Sequence, residues 1–581
     1  MTPAGQRFQQ YCVEGIRTFV QTAIVIDNEA TLTPTRIADE KPKTATAPVV
    51  SVIAEDHAPP PAAAPAESAK ATRENSENTK NESASHSLNA KALTDAFHRL
   101  EVVCGLYKPE EGEDAVGLAT KAAQHADIVV IDWYLESTAT SAKAKEVIRH
   151  IVRQDTSQFG RLRLIAVYTG AAGLPQFAKE VFDDLESDPN VKGQFKLNGH
   201  SLTRADSRIC FYNKPDTPGA IRTDVVTEGD LPDRLMKDFA TVSEGVLATF
   251  AVTAVAAIRR AAHHVVALFR KELDGSFVAH RCRMDDPESA NDFAIDLITS
   301  EIRNVIAMAE VPERSLNASV LSDWVDHIAV NNGHKFKDFG QQDKELNSDE
   351  VKDLITRGYP ALRDLDLSKK GKYLEGLFFA NTNETKTRSL EFSRLTTLKR
   401  EGQGRTGFAD SWRPVLTLGT VVKVYRSATD SEVEPGGAEP GEPVMHEHYL
   451  ICVQPRCHSV RLNAAIAFPF QKADIAAPQD VFNLVVKDGS QSVRLAVKWR
   501  PQDAELIRFA PDAQSHTVKA LKPETQFEFT DVNGNKFIWI ADINDMIVQR
   551  DASELAKYIH TPGVDVFEWL RLAAQGKIDL P

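Results

Sequence analysis

Four apolar runs in the amino-terminal part of the chain end in polar residues that could do chemistry together. "TAIVIDNEA" (22–30) ends in Asp27 and Asn28, "DIVVIDWYLE" (127–136) in Asp132, "RLRLIAVYTGA" (161–171) carries Thr169, and "SRICFYNKPD" (207–216) delivers Lys214 ahead of Pro215. The carboxyl end of a parallel strand is where open α/β sheets put ligands, because the strand is rigid and the loop after it is free to vary. Two carboxylates and an amide oxygen on one edge make a hard, oxygen-rich pocket suited to Mg2+. With that ion bound, Asp132 could act as a nucleophile toward a phosphoryl donor, as carboxylates do in forming aspartyl phosphates. The Thr169 hydroxyl and the Lys214 ammonium would then bind the transferred oxygens.

The elements around these residues alternate. After the first run, "LNAKALTDAFHRL" reads as a helix, "EVVCGLYKP" as a strand, "AVGLATKAAQHA" as a helix, and the three remaining strands are separated by further helices. Strands alternating with helices predict a parallel sheet with right-handed crossovers, here a doubly wound five-stranded α/β domain. Two departures from a minimal domain stand out. Residues 35–86, including "HAPPPAAAPAESAKATRENSENTKNESASHS", offer almost nothing aromatic to bury and are expected to be a disordered insertion after the first strand. "VKGQFKLNGHSLTR" (191–204) is an extra excursion before the fifth strand.

Composition sets the outer limits. A chain of 581 residues, 42% hydrophobic and 26% charged, is ordinary for a soluble globular protein and long enough for roughly three or four domains. Its formal net charge of −14 argues against a generic nucleic-acid or anionic-membrane surface. The six cysteines have no CxxC pairing, which suits a reducing cytoplasm, and the first residues lack the basic and apolar regions of a signal peptide. The apolar stretch 245–258 is shorter than the about 20 residues a membrane crossing needs, so a buried or dimer-forming helix is expected there.

Taken in chain order, these strand ends resemble the receiver domain of bacterial response regulators. That family has an acidic pair after its first strand, a phosphorylated Asp after the third, Thr or Ser after the fourth and Lys-Pro after the fifth. The resemblance covers about residues 20–240. It implies Asp132 as phosphoacceptor, Asp27, Asn28 and Asp132 as the Mg2+ site, and Thr169 with Lys214 as the phosphate-responsive pair. Phe211, three residues before the lysine, falls at the family's aromatic switch position, and Trp133 after the Asp also occurs in the family. Asn28 stands where the family usually has a second acid, which lowers the charge available to a cation.

The rest carries no signature. Residues 241–405 read as a helical region whose Ala-rich helices suit packing within the chain or in a homodimer, and residues 406–581 as a β-rich, barrel-like module. "DVNGNKF" is a hairpin turn signal, "GGAEPGEP" (436–443) a flexible loop, and "DVFEWLRLAAQ" (565–575) a closing helix. His446, His448 and Cys452 share strand parity, but their spacing matches no standard zinc motif, and Cys452 reads as a small core residue. No nucleophile elbow, P-loop, kinase signature or HExxH is present, and no helix-turn-helix ends the chain.

The expectation is therefore a cytoplasmic signal-transduction regulator and not an enzyme. A histidine kinase or other phosphodonor would load the receiver, and the output would be a protein effector, with neither membrane nor nucleic acid as partner. The alternatives are a degenerate receiver serving as a phosphorylation-independent scaffold, and an unrecognised enzyme in the carboxyl-terminal half. Large receiver-containing chains of this build resemble those of bacterial conflict and anti-phage operons.

Overall fold

The computed structural model describes residues 3–31, 87–110, 114–135, 140–158, 160–284, 287, 289–337, 344–365, 374–402, 411–427, 445–477, 480–522 and 526–560. The expected disordered insertion, the loop 436–443 and the closing helix at 565–575 lie outside these residues. The chain divides into two compact units: one is Val20–Arg153 with Leu162–Val242, the other Met1–Phe19, Gln154–Arg161 and Ser243–Pro581.

The elements begin with α1 (Pro3–Phe19), β1 (Thr22–Ile26), α2 (Ala90–Arg99), β2 (Val103–Tyr107), α3 (Ala115–Ala123) and β3 (Ile128–Ile131). They continue with α4 (Ala142–Ser157), β4 (Arg163–Thr169), α5 (Leu174–Glu186), β5 (Lys196–Asn198), β6 (Ser201–Thr203), β7 (Ser207–Asn213) and α6 (Leu231–Ala240). β1 to β7 form one sheet in the order β2-β1-β3-β4-β7-β6-β5. The first five are parallel, and β6 and β5 add antiparallel.

All four residues of β3 and all seven of β4 are buried, as continuous apolar runs require when helices cover both faces of a parallel sheet. One face sends Ile24, Val129, Ile131, Val167 and Phe211 into a core shared with α3, α4 and α5. The opposite parity, marked by Tyr212, faces α6, where the Tyr212 hydroxyl donates to Asp238 at 2.5 Å.

The sheet has seven strands, so the expectation of five needs correcting. The excursion at 191–204 turns at Gly199, whose φ of 60° suits glycine, and lies back along β7 as a hairpin. Each hairpin strand is three residues long, with Leu202 as its one fully buried apolar side chain. That is too little alternation to read as strand.

Helices α4 and α5 are tied by a regular charge ladder. Lys145 meets Glu180 at 3.4 Å, Arg149 meets Asp184 at 2.8 Å, and Arg153 pairs with Asp188 one turn further on. The rungs are partly solvated, so Arg149→Ala is expected to cost only roughly 0.2–1 kcal/mol in urea unfolding, and less at high salt. A loss of several kcal/mol would contradict this reading.

In the other unit α1 packs with α7 (Val246–Leu268), and α8 (Asp274–Arg283), α9 (Ser289–Met308), α10 (Val311–Ser315) and α11 (Ala318–Asn331) follow. The helix α7 has 23 residues, longer than the run 245–258 suggested, and by length and composition alone it is long and apolar enough to cross a membrane. A short hairpin of β8 (Phe336–Lys337) and β9 (Glu345–Leu346) precedes α12 (Ser348–Arg357), α13 (Tyr359–Asp364) and α14 (Thr382–Thr397).

The remaining strands are β10 (Leu398–Glu401), β11 (Thr420–Ser427), β12 (Met445–Cys452), β13 (Ile466–Ile475), β14 (Leu484–Asp488), β15 (Gln491–Val497), β16 (Ala504–Phe509), β17 (Glu528–Thr530) and β18 (Lys536–Ile543), before α15 (Asp545–His560). They make one near-barrel antiparallel sheet of nine strands, whose central strands are buried on both faces. The strand β12 shows why: Leu450 and Cys452 enter one core, Tyr449 and Ile451 the other. Cys452 is thus a core residue, and the side chain of His446 lies outside the described residues. The Asn-Gly signal does mark a hairpin, between β17 and β18. Its five-residue turn is held by Asp531, which accepts from the backbone N–H groups of Asn533 and Asn535, with Gly534 at φ 86°.

Candidate functional site

The strand order 2-1-3-4 reverses direction between β1 and β3, and in doubly wound sheets the crevice at that point is where ligands bind. Asp27 and Asp132 are the first residues beyond these two strands. Their backbones are still in the ladder. The Asp27 N–H donates to the Tyr107 carbonyl at 3.2 Å, the Asp132 N–H to Ile26 at 2.9 Å, and the Lys214 N–H to Thr169 at 2.8 Å. Each site residue is therefore held by the sheet while its side chain reaches past the edge.

Local turns fix the side chains further. Asp27 accepts from the Glu29 N–H at 2.8 Å, Asp132 from the Tyr134 N–H at 2.9 Å, and Thr169 Oγ1 from the Ala171 N–H at 3.2 Å. All three are contacts two residues ahead, the habit of Asp and Thr in turns. The chain leaves each strand with the functional oxygen already oriented.

The structure joins Asp27, Asp132 and Lys214 directly. The Lys214 ammonium lies 2.8 Å from Asp27 Oδ2 and 3.1 Å from Asp132 Oδ1, and all three residues are buried. Thr169 is buried at the same sheet edge, but among the described residues no hydrogen bond joins its side chain to Asp132 or Lys214. Phe211 is fully buried beneath the edge.

Asn28, the residue after Asp27, has a buried Oδ1 with no hydrogen-bond partner among the described residues. An orphaned buried acceptor is what a hard cation would satisfy, and the set of Asp27, Asn28 and Asp132 offers oxygen donors only, the kind that Mg2+ takes. It is not a cluster of acids: among the described residues no group of three or more His, Cys, Asp or Glu side chains converges as a metal site.

The electrostatics follow from burial. Desolvation pushes the Asp132 carboxyl from 3.8 up to about 6; Lys214 pulls against it and the nearby Asp27 adds to the rise. For Lys214, burial alone would lower the ammonium, but Asp132 and Asp27 outweigh it and hold it above its usual value.

A carboxyl raised in the folded state binds its proton more tightly there, so the cost of burying its charge is absent at low pH. That cost grows as pH rises from 3.8 to about 6 and is complete above. Measured by urea unfolding, the stability of wild type relative to Asp132→Asn is expected to fall across that window. A flat difference would contradict it.

The sequence reading noted Trp133 only for its place after Asp132, and it missed Asn213 and Tyr168. Trp133 stacks on Phe177 at 4.7 Å and meets Phe211 edge-on at 6.3 Å, so Asp132 is followed at once by an aromatic wedge reaching α5. Asn213 donates to the Ala171 carbonyl at 2.7 Å, tying the loop after Thr169 to the strand that delivers Lys214. Tyr168 offers its ring to the Lys214 ammonium at 5.9 Å. "YNKP" and "VYTG" contained these neighbours, but nothing in their order told which would touch.

Residues 19–219 match the family model described as the response receiver domain. No curated protein and no solved structure matches the chain.

Proposed function

We propose that the response receiver domain at residues 19–219 makes this chain a cytoplasmic signal-transduction regulator of the two-component kind, switched by phosphorylation of Asp132. The observation that carries the reading is the buried Lys214 ammonium shared by Asp27 and Asp132 at the point where the strand order reverses.

An Asp132 carboxylate oxygen attacks the phosphorus of the donor, either a histidine kinase's phosphohistidine or a small acyl phosphate. The new O–P bond forms as the bond to the leaving group breaks, and the leaving group keeps that electron pair. Lys214 turns from the Asp132 carboxylate to a phosphoryl oxygen while still held by Asp27, and the Thr169 hydroxyl donates to a second oxygen. Asp27, Asn28 and Asp132 would hold Mg2+, which neutralises charge on the phosphoryl oxygens. Asn28 supplies an oxygen without a charge, so the cation affinity rests on two carboxylates.

The readout is local charge acting on packing. Lys214 lies three residues after Phe211, and Trp133 links Asp132 to Phe177 on α5. A shift of the lysine and the Asp132 turn bears on the same aromatic group, and through it on α5. The output is a protein partner that reads this surface.

Hydrogen exchange on the full chain tests the switch. After treatment with acetyl phosphate and Mg2+, exchange is expected to change in α5 and the end of β7 in wild type, and to stay unchanged in Asp132→Asn. Phosphorylation without any change in those segments would defeat the readout.

A further inference from the structure

We infer that Asn213 is a positioning residue for phosphoryl transfer, whose side-chain amide sets the Thr169 hydroxyl at a fixed place relative to the Lys214 ammonium. This role rests on the phosphorylation of Asp132 proposed above, and it belongs to a side chain that itself makes no bond to the phosphoryl group.

Thr169 and Lys214 have to hold two oxygens of one small group, and a misplacement of about 1 Å between such groups is costly. Their side chains share no hydrogen bond among the described residues. The backbone has to set the spacing. Strands β4 and β7 run side by side as far as Thr169 opposite Asn213, and one step on the Lys214 N–H donates to the Thr169 carbonyl at 2.8 Å. There the ladder stops, and the chain leaves β4 as the loop that leads to α5.

The Asn213 amide carries the connection past that point. Its Nδ2 donates to the Ala171 carbonyl at 2.7 Å and to the Thr169 carbonyl at 3.3 Å. Ala171 is also the residue whose N–H donates to Thr169 Oγ1 at 3.2 Å. Holding the carbonyl of Ala171 therefore steadies the N–H that orients the hydroxyl. Because Oγ1 already accepts there, its own hydrogen is left to be donated, which is what a phosphoryl oxygen requires.

Asn213 is a firm anchor because it is clamped in turn. It is only 1% exposed. Its N–H donates to the Asp224 carbonyl at 2.9 Å, and its carbonyl accepts from the Val226 N–H at 3.0 Å. The Val226 carbonyl accepts from the hydroxyl of Tyr168, whose ring faces the Lys214 ammonium. A side chain that only filled this end of the core would be apolar; a buried amide is there for the carbonyls it satisfies. Those carbonyls bracket the Thr169 turn, and the next residue along the chain is Lys214 itself.

The test is the rate at which the full chain gains one phosphoryl group from acetyl phosphate and Mg2+, read by intact mass at a temperature where circular dichroism shows every variant folded. Asn213→Ala is expected to be labelled about tenfold or more slowly than wild type. The effect is exerted through Thr169, so adding Asn213→Ala to Thr169→Ala should slow labelling no further. Hydrogen exchange without phosphodonor or Mg2+ should quicken at 169–173 in Asn213→Ala and keep its wild-type rate in the rest of β4. Asn213→Ser, which keeps a polar group but is too short to span to Ala171, takes its place should Asn213→Ala unfold.

Equal labelling of wild type and the Asn213 variant overturns the inference and leaves phosphorylation of Asp132 standing. So does a slowing that adds to that of Thr169→Ala, or unchanged exchange at 169–173, since Asn213 would then not act through the Thr169 turn. A wild type that takes no phosphoryl group overturns the phosphorylation of Asp132 and this role with it. Labelling of wild type thus tells the two failures apart.

Discussion

Lys214→Met is expected to destabilise the receiver-like unit by about 3–5 kcal/mol, the usual penalty for removing one partner of a buried ion pair. The lysine side chain is only 5% exposed, and it is the cation that both Asp27 and Asp132 address. Without it two buried carboxylates face each other uncompensated. Each then favours its protonated form, so the loss should be larger at neutral pH than in mild acid. A second substitution, Asp132→Asn in the Lys214→Met background, removes one of the two charges and should recover part of the loss. Urea unfolding followed by circular dichroism reads all three proteins. A loss below about 1 kcal/mol, typical of a solvated pair, would mean that the site is wetter and looser than its geometry.

Trp133→Ala is expected to cost about 3–5 kcal/mol, the range for emptying a large aromatic from a core. Trp133 is fully buried, stacked on Phe177 and edge-on to Phe211. The larger interest is functional. Because Trp133 directly follows Asp132, its loss should uncouple the Asp132 turn from α5 while leaving the carboxylate in place. Phosphorylation should therefore persist, at a temperature where the variant is still folded, and the exchange change in α5 should shrink. Equal change in wild type and variant would move the readout away from this aromatic group.

Much of the site could be read from the chain because the residues that matter sit one place beyond strands whose apolar runs are unmistakable. Asp27, Asp132 and Lys214 were placed on one edge by strand order alone, and the structure brings them within hydrogen-bonding distance. What could not be read was pairing at finer scale. Nothing in "DIVVIDWYLE" says that Trp133 lies on Phe177, because that contact depends on how α5 crosses the sheet. Nor could the chain show that Thr169 would turn its oxygen to Ala171, a backbone detail of one loop.

The hairpin of β5 and β6 was visible only as surplus length. Its strands are too short for a period of two to stand out, and pairing with β7 rather than intrinsic pattern makes them strands. In the carboxyl-terminal sheet the opposite problem arises. Its central strands β11 and β12 are buried on both faces, so alternation is lost there, whereas β16 keeps it, with Ile507 and Phe509 buried and Leu506 and Arg508 exposed.

The central claim is that Asp132 accepts a phosphoryl group in a site that needs a cation. Intact-mass spectrometry of the full chain after incubation with acetyl phosphate tests it most directly, with Mg2+ and with a chelator, for wild type and Asp132→Asn. The account predicts one added phosphoryl group in wild type with Mg2+, little or none with chelator, and none in the variant. No added mass in wild type under any condition would contradict it, and would leave a receiver-like domain that binds partners without being phosphorylated.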